Sequence, residues 1–299
     1  MTDWRLETPD GSPVRVVGID TLELANPFVV YERKSNAYYM VGDGGCMWMG
    51  RDLREWNGPY KVTDIDSCAW YADASIVTAP EIHKFGGHYY YVASFTGVDN
   101  ENVSRTSCEV LVSDKITGPY VSLNNDGCLL ADGEIAGYPT FCVDELNAGY
   151  MIYGDSAMPE GELKIIRFTD DLKKRMGEAY VMLRGSEGMM HIGSPYLFIT
   201  DKGMPGLLFT AHGENGTDVR VAYTANEMGH WLNGPWVVEK EPLMEGNFGG
   251  ASLFTDYDGT MVMVLHKDTV IAGRSVKVPR FVKMDSQFEK LKKIGYYIF

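Results

Sequence analysis

Residues 80–92 read PEIHKFGGHYYYV. An apolar run enters behind a proline, breaks at Gly86 and Gly87, and returns as an aromatic strand, the sequence form of a β-hairpin. The same pattern recurs from Pro27 (PFVVYERKSNAYYMVGD), from Pro139 (PTFCVDELNAGYMIYGD) and from Pro195 (PYLFITDKGMPGLLFTAHG), and once more from Ala251 without the proline (ASLFTDYDGTMVMVLHK). The returning strands begin near Tyr38, Tyr89, Tyr150, Leu207 and Met261, a period of ~50–60 residues that belongs to propellers or solenoids. Each copy is too long for a helical or leucine-rich repeat and suits a four-stranded blade. The prediction is an all-β chain, a five-bladed β-propeller with four-stranded antiparallel blades around a central axis.

The predicted blades span roughly 22–75, 76–133, 134–190, 191–246 and 247–299, in one domain without a Pro/Ser-rich linker. Their later strands end alike, at WNGPY before residue 61, ITGPY before 121, MGEAY before 181 and LNGPW before 237. Matching repeat positions point these corner aromatics to packing between blades. DLKKRMGEAY looks locally helical, but the repeat sets it between strands, so it is read as a turn and helix content is predicted low. A propeller must close its ring, and residues 14–19 (VRVVGI) are expected to do so as a strand on the last blade. IGYYIF at the end is expected to pair or pack as a final strand.

A net charge of −14 disfavours nucleic acid and acidic membranes as partners. Cys46, Cys68, Cys108, Cys128 and Cys142 are odd in number and widely spread, which favours reduced thiols over disulfides or zinc. The first residues lack a basic start and an apolar core, and no apolar run reaches membrane-spanning length, so a cytoplasmic protein is expected. At 299 residues the chain can bury most of its unfolded surface, roughly 75% at this size.

In a propeller the inner strands begin near the axis, so Asn26, Ala79, Tyr138, Gly193 with Ser194, and Gly250 should converge on one face. The second strands return to that face, which places Asp43, Ser94, Asp155, His212 with Glu214, and His266 with Asp268 in an outer ring. Loops on a rigid scaffold are where binding and catalysis concentrate. Trp70 and Tyr71, just before blade two, are candidate ligand-stacking residues, with core packing the competing reading.

The order NPF, APEIHKFGGHYYYVASF, the GPY corners, EPLMEGN, GGASLF and VLHKD resembles glycoside hydrolase family 43, the five-bladed arabinosidase and xylosidase group, over essentially the full length. The resemblance implies inverting hydrolysis by carboxylates, in which one Asp activates water, a Glu or Asp protonates the leaving oxygen, and a second Asp tunes that acid. The base position is Asn26, the tuning position Tyr138 (or Ala136 with one residue gapped), and the acid position Gly193. The tryptophan of the family's WAPE is Thr78, and its fifth-blade histidine falls at Gly250, while His266 keeps a family polar position. An amide takes no proton from water at neutral pH and glycine carries none, so the three-carboxylate reaction has no groups here to run on.

Three readings follow. Acid and base have moved, with Asp43, Asp155 and His191 as the relocated candidates and His212 and His266 as further proton carriers. Alternatively the protein is a non-catalytic carbohydrate-binding pseudoenzyme that uses Asn26, Tyr138, Trp70, His212 and Glu214 to hold its ligand. The third is a metal-assisted hydrolase using funnel His and Asp, with His266 and His212 as ligands. The expected partner in each is a carbohydrate or glycoside, and a divalent metal such as calcium in the central channel is a candidate cofactor.

Overall fold

The computed structural model describes residues 7–9, 11–67, 69–98, 104–123, 136–144, 147–155, 160–213, 216–224, 234–285 and 290–297. Cys68, Cys128 and Glu214 lie outside them. Blade one holds β1 (Arg15–Gly18), β2 (Phe28–Glu32), β3 (Ala37–Val41), β4 (Met47–Gly50) and β5 (Glu55–Tyr60). Blade two holds β6 (Thr63–Asp64), β7 (Ile76–Phe85), β8 (His88–Val98), β9 (Ser104–Ser113) and β10 (Tyr120–Ser122). Blade three is built from β11 (Ala136–Val143), β12 (Gly149–Asp155), β13 (Glu162–Phe168) and β14 (Arg175–Arg184). Blade four follows with β15 (Met190–Ile199), β16 (Pro205–Gly213), β17 (Gly216–Thr224) and β18 (Trp236–Val238). β19 (Phe248–Thr255), β20 (Met261–Ile271), β21 (Arg274–Asp285) and β22 (Lys292–Tyr296) make blade five. No helix occurs among the described residues, and the five sheets form a propeller ring.

The hairpin that set the repeat forms as its sequence dictates. Phe85 pairs with His88, and Gly86 and Gly87 both take positive φ, 57° and 87°, the backbone a two-residue turn between twisted strands requires. The three Gly-Pro corners, at Pro59, Pro119 and Pro235, carry cis peptide bonds.

The apolar core is divided among the seams. Its five clusters each straddle a pair of neighbouring blades: one and two around Tyr91, two and three around Met151, three and four around Phe209, four and five around Met263, and five and one around Trp56. Among the corner aromatics, Tyr120 and Trp236 are buried and Tyr60 packs against the first cluster. Tyr180 departs from the expectation. It is 56% exposed on β14, the outer strand of blade three.

The N-terminal strand also departs from it. β1 does not join blade five; it pairs antiparallel with β5 of blade one, Val17 opposite Trp56. Residues 248–296 already give blade five four strands of its own, so no place there needs filling. The ring instead closes through contacts between blades. Leu24 N donates to Lys277 O at 2.8 Å, Tyr38 donates its phenol to Asp256, and Trp56 stacks on Phe281 with ring centroids 6.4 Å apart.

If that seam carries the closure, Trp56→Ala should cost ~3–5 kcal/mol of unfolding free energy, as large-to-small changes in closed cores do. Tyr180→Ala should shift it by less than ~0.5 kcal/mol. Denaturant titration of both variants measures the difference.

Candidate functional site

Asn26, Ala79, Tyr138, Ser194 and Gly250 meet around the axis and line one narrow, solvent-open cavity. All five have left-handed backbones, with φ of 46°, 46°, 55°, 47° and 58°. A proline follows four of them, which disfavours the right-handed helical region for the residue before it. In blades two to five the strand register also shifts at this point, a bulge that bends the strand end at the axis. A non-glycine residue held this way costs on the order of 1 kcal/mol, and such strain persists only where the surroundings over-determine it. Gly250 has no choice of residue, since a Cβ there would collide with Asn26.

The determining contacts are side chains from the preceding blade. Asp43 Oδ1 accepts from Ala79 N at 2.9 Å, and Ser94 Oγ donates to Ala136 O at 3.2 Å. Thr210 Oγ1 accepts from Gly250 N at 3.0 Å, and His266 Nδ1 accepts from Asn26 N at 3.1 Å. Each ties the end of a second strand to the axial start of the next blade. At the seam from blade three to blade four two backbones touch instead: a Cβ on Gly154 would lie 3.4 Å from Gly193 Cα.

His266 is buried, and its Nδ1 must be unprotonated to accept from Asn26. Burial first, then the Lys277 ammonium, hold its pKa down to about 4 against the upward pull of Asp268. Lys277 Nζ lies 3.4 Å from Nε2 but bonds Asp268 Oδ1 at 2.6 Å.

Beneath the ring the channel is plugged. Phe28 and Tyr196 face each other with centroids 6.2 Å apart, and Tyr196 donates its phenol to Leu253 O at 2.9 Å. Glu81 stands in the same layer, with Oε2 2.6 Å from His83 Nε2 and 2.8 Å from Thr140 Oγ1. Burial pushes its carboxyl up, and the bonds from His83 and Thr140 pull it back.

Asn26, Tyr138 and Gly193, none of which carries a carboxylate, lie together at this end of the axis. Asn26 Nδ2 donates to Asp43 Oδ1 at 2.9 Å. The Tyr138 ring lies over Gly193, where a Cβ would stand 3.8 Å from Tyr138 Cδ2. Desolvation and, after it, the Asp43 carboxylate raise the Tyr138 phenol above its ordinary pKa.

The remaining candidates are dispersed. Asp155 is buried and ion-paired with Lys164 at 2.6 Å. His191 and His212 are exposed neighbours on the rim of blade four, ring centroids 5.5 Å apart and perpendicular. Trp70 is half-buried and bonds Glu109 Oε1 through its indole nitrogen at 2.9 Å, over blade two and away from the axial lining. Tyr71 is core. Among the described residues no group of three or more His, Cys, Asp or Glu is placed to hold a metal ion, and His266 and His212 belong to different blades.

Two axial residues were missed in the sequence. Thr210 takes the place assigned to His212, since it pairs with Gly193 as His266 pairs with Gly249. Counting fifteen residues from Pro195 and from Ala251 gives Thr210 and His266, which do correspond. Glu81, directly after Pro80, was legible as an inward-facing position in register with Phe28, Thr140 and Tyr196.

A closed five-bladed ring with an aromatic and polar funnel at one end of its axis defines the class. The model for glycosyl hydrolases family 43 matches residues 20–282. The chain belongs to that family. Its fold is similar to an endo-arabinase from Bacteroides thetaiotaomicron (TM-score 0.73, 22% identity, 95% of this chain and 97% of that one). It is likewise similar to an endo-1,4-beta-xylanase from the same organism (0.71, 18%, 92% and 95%). A third similar structure is the Cellvibrio cellulosa alpha-L-arabinanase complexed with arabinohexaose (0.65, 14%, 91% and 95%). No protein of curated function matches the chain in sequence.

The His266 latch sets a pH dependence. With the folded pKa at about 4 and the unfolded value near 6.5, the unfolded state binds more protons between them. Stability is therefore full above ~6.5 and falls as the pH drops toward ~4, by about 3 kcal/mol. His266→Gln should lose that slope, which unfolding titrations across the window would show.

Proposed function

We propose that the protein binds a glycan in the axial funnel and does not cleave ordinary glycosidic linkages by the three-carboxylate reaction of its family. One observation supports this reading: the partly exposed Tyr138 ring borders Gly193, which puts an aromatic surface beside a position with no side chain. An aromatic face beside an amide suits a sugar, whose axial C–H groups stack on a ring while its hydroxyls bond polar groups. Tyr138 is 40% exposed, unlike the buried tyrosines of the seams. Asn26 supplies the amide, and Ser194 adds a hydroxyl in the same cavity.

The kind of sugar is suggested by the relatives. Their names speak of arabinan and xylan, so pentose oligomers are the first ligands to try. The family route puts a carboxylic acid on the leaving oxygen, and neither Gly193 nor Tyr138 carries a carboxyl.

Calorimetric titration with arabino- and xylo-oligosaccharides should show saturable binding. Tyr138→Ala should weaken it about tenfold, equivalent to ~1.4 kcal/mol. The same samples should release no reducing sugar from arabinan or xylan. Binding absent for both series, or indifferent to Tyr138→Ala and Asn26→Ala, would sink the reading.

A further inference from the structure

We infer that Asp43 is a catalytic base for glycosides whose leaving group departs as a stable anion. The inference rests on the reading that the funnel receives a sugar, and it adds a reaction to it. Asp43 stands beside the base position, on the side chain that replaced it: its Oδ1 accepts from Asn26 Nδ2 and from Ala79 N, both at 2.9 Å. Two donors on one oxygen fix the carboxylate from blades one and two. Its other oxygen, Oδ2, accepts no hydrogen bond from the described residues.

A general base needs this division, with one oxygen held and the other open to water. Access is present as well. Water reaches Asp43 from an open groove on the rim between blades five and one, lined also by Asp268, Arg274 and Lys277 and distinct from the axial cavity. Its charge also reaches the Tyr138 phenol across the funnel.

Other carboxylates at this end are engaged. Asp155 is paired with Lys164 and Asp268 with Lys277, each at 2.6 Å, and Glu81 is bonded by His83 and Thr140 beneath the ring. Asp43 has no ion pair among the described residues.

The missing acid then selects the substrate. Water attacks the anomeric carbon and gives its proton to Asp43 Oδ2, while the bond to the leaving group breaks with its electron pair going to that group. The products are the sugar of inverted configuration, a free anion, and a protonated Asp43 that returns its proton to solvent. An alkoxide leaves poorly without protonation, but a phenolate of low pKa needs none. Glycosides of acidic aglycones are therefore the class served.

The test compares 2,4-dinitrophenyl, 4-nitrophenyl and methyl glycosides of xylose and arabinose. The wild-type protein should release dinitrophenolate fastest and leave the methyl glycosides intact. Asp43→Asn keeps an oxygen for Asn26 and Ala79 and should retain its melting temperature, yet lose at least ~100-fold of the rate. In Asp43→Ala, azide, a nucleophile needing no base, should restore phenolate release and yield the inverted glycosyl azide. A rate within about twofold of wild type for Asp43→Asn, or no turnover by the wild type, overturns the inference. In the second case oligosaccharide titration of the same sample separates the two claims. Binding without turnover leaves the funnel reading standing, and absence of both removes it too.

Discussion

The structure depends on how five sheets are made to converge without a shared strand. Each blade enters the axis at a residue in the left-handed region, and in four of the five seams a side chain from the preceding blade bonds its backbone or that of the adjoining axial residue. A hydrogen bond of this kind contributes ~0.5–1.5 kcal/mol net, about the size of the strain it offsets. Seam and site are consequently made of the same atoms. The peptide N–H of Asn26 is held by blade five while its amide is held by Asp43, so these positions serve packing and chemistry together.

That coupling gives the choice of residues at the axis a physical sense. Gly193 without a side chain and Tyr138 with a broad one are neighbours, and a Cβ on the glycine would stand in ordinary contact with the ring. Asn26 is complementary to Gly250, since its side chain fills the space a Cβ would need. The ring is a closed, well-packed floor over the Phe28–Tyr196 plug.

Much of this was legible in the residues. The GG hairpin and its four echoes gave the architecture, because a proline or small residue, an apolar run and an aromatic return recur at a period only a blade can fill. The axial starts were legible for the same reason, each being the residue before a proline or its counterpart. Ring closure was not. Pairing of β1 with β5 is a choice between two edges, and VRVVGI fits either. Nor could the repeat tell which polar residue at a strand end would point inward: a two-residue offset in blade four exchanges Thr210 for His212 and reverses their roles from exposed to latched. The companionship of Asn26 and Asp43 joins a strand start to the turn beyond the next strand, a proximity that follows from backbone geometry alone.

Closure by side chains also bears on the order in which the molecule can be made. Because β1 stays within its own blade, every blade is completed by chain already near it in sequence, and each can pair its strands as it emerges during synthesis. Only the seam between blades five and one joins distant segments, Leu24 to Lys277 and Asn26 to His266. Its loop-closure entropy comes due last, when four seams already stand. An arc of finished blades is then the natural precursor of the ring, and the axial funnel does not exist until its final contact is made.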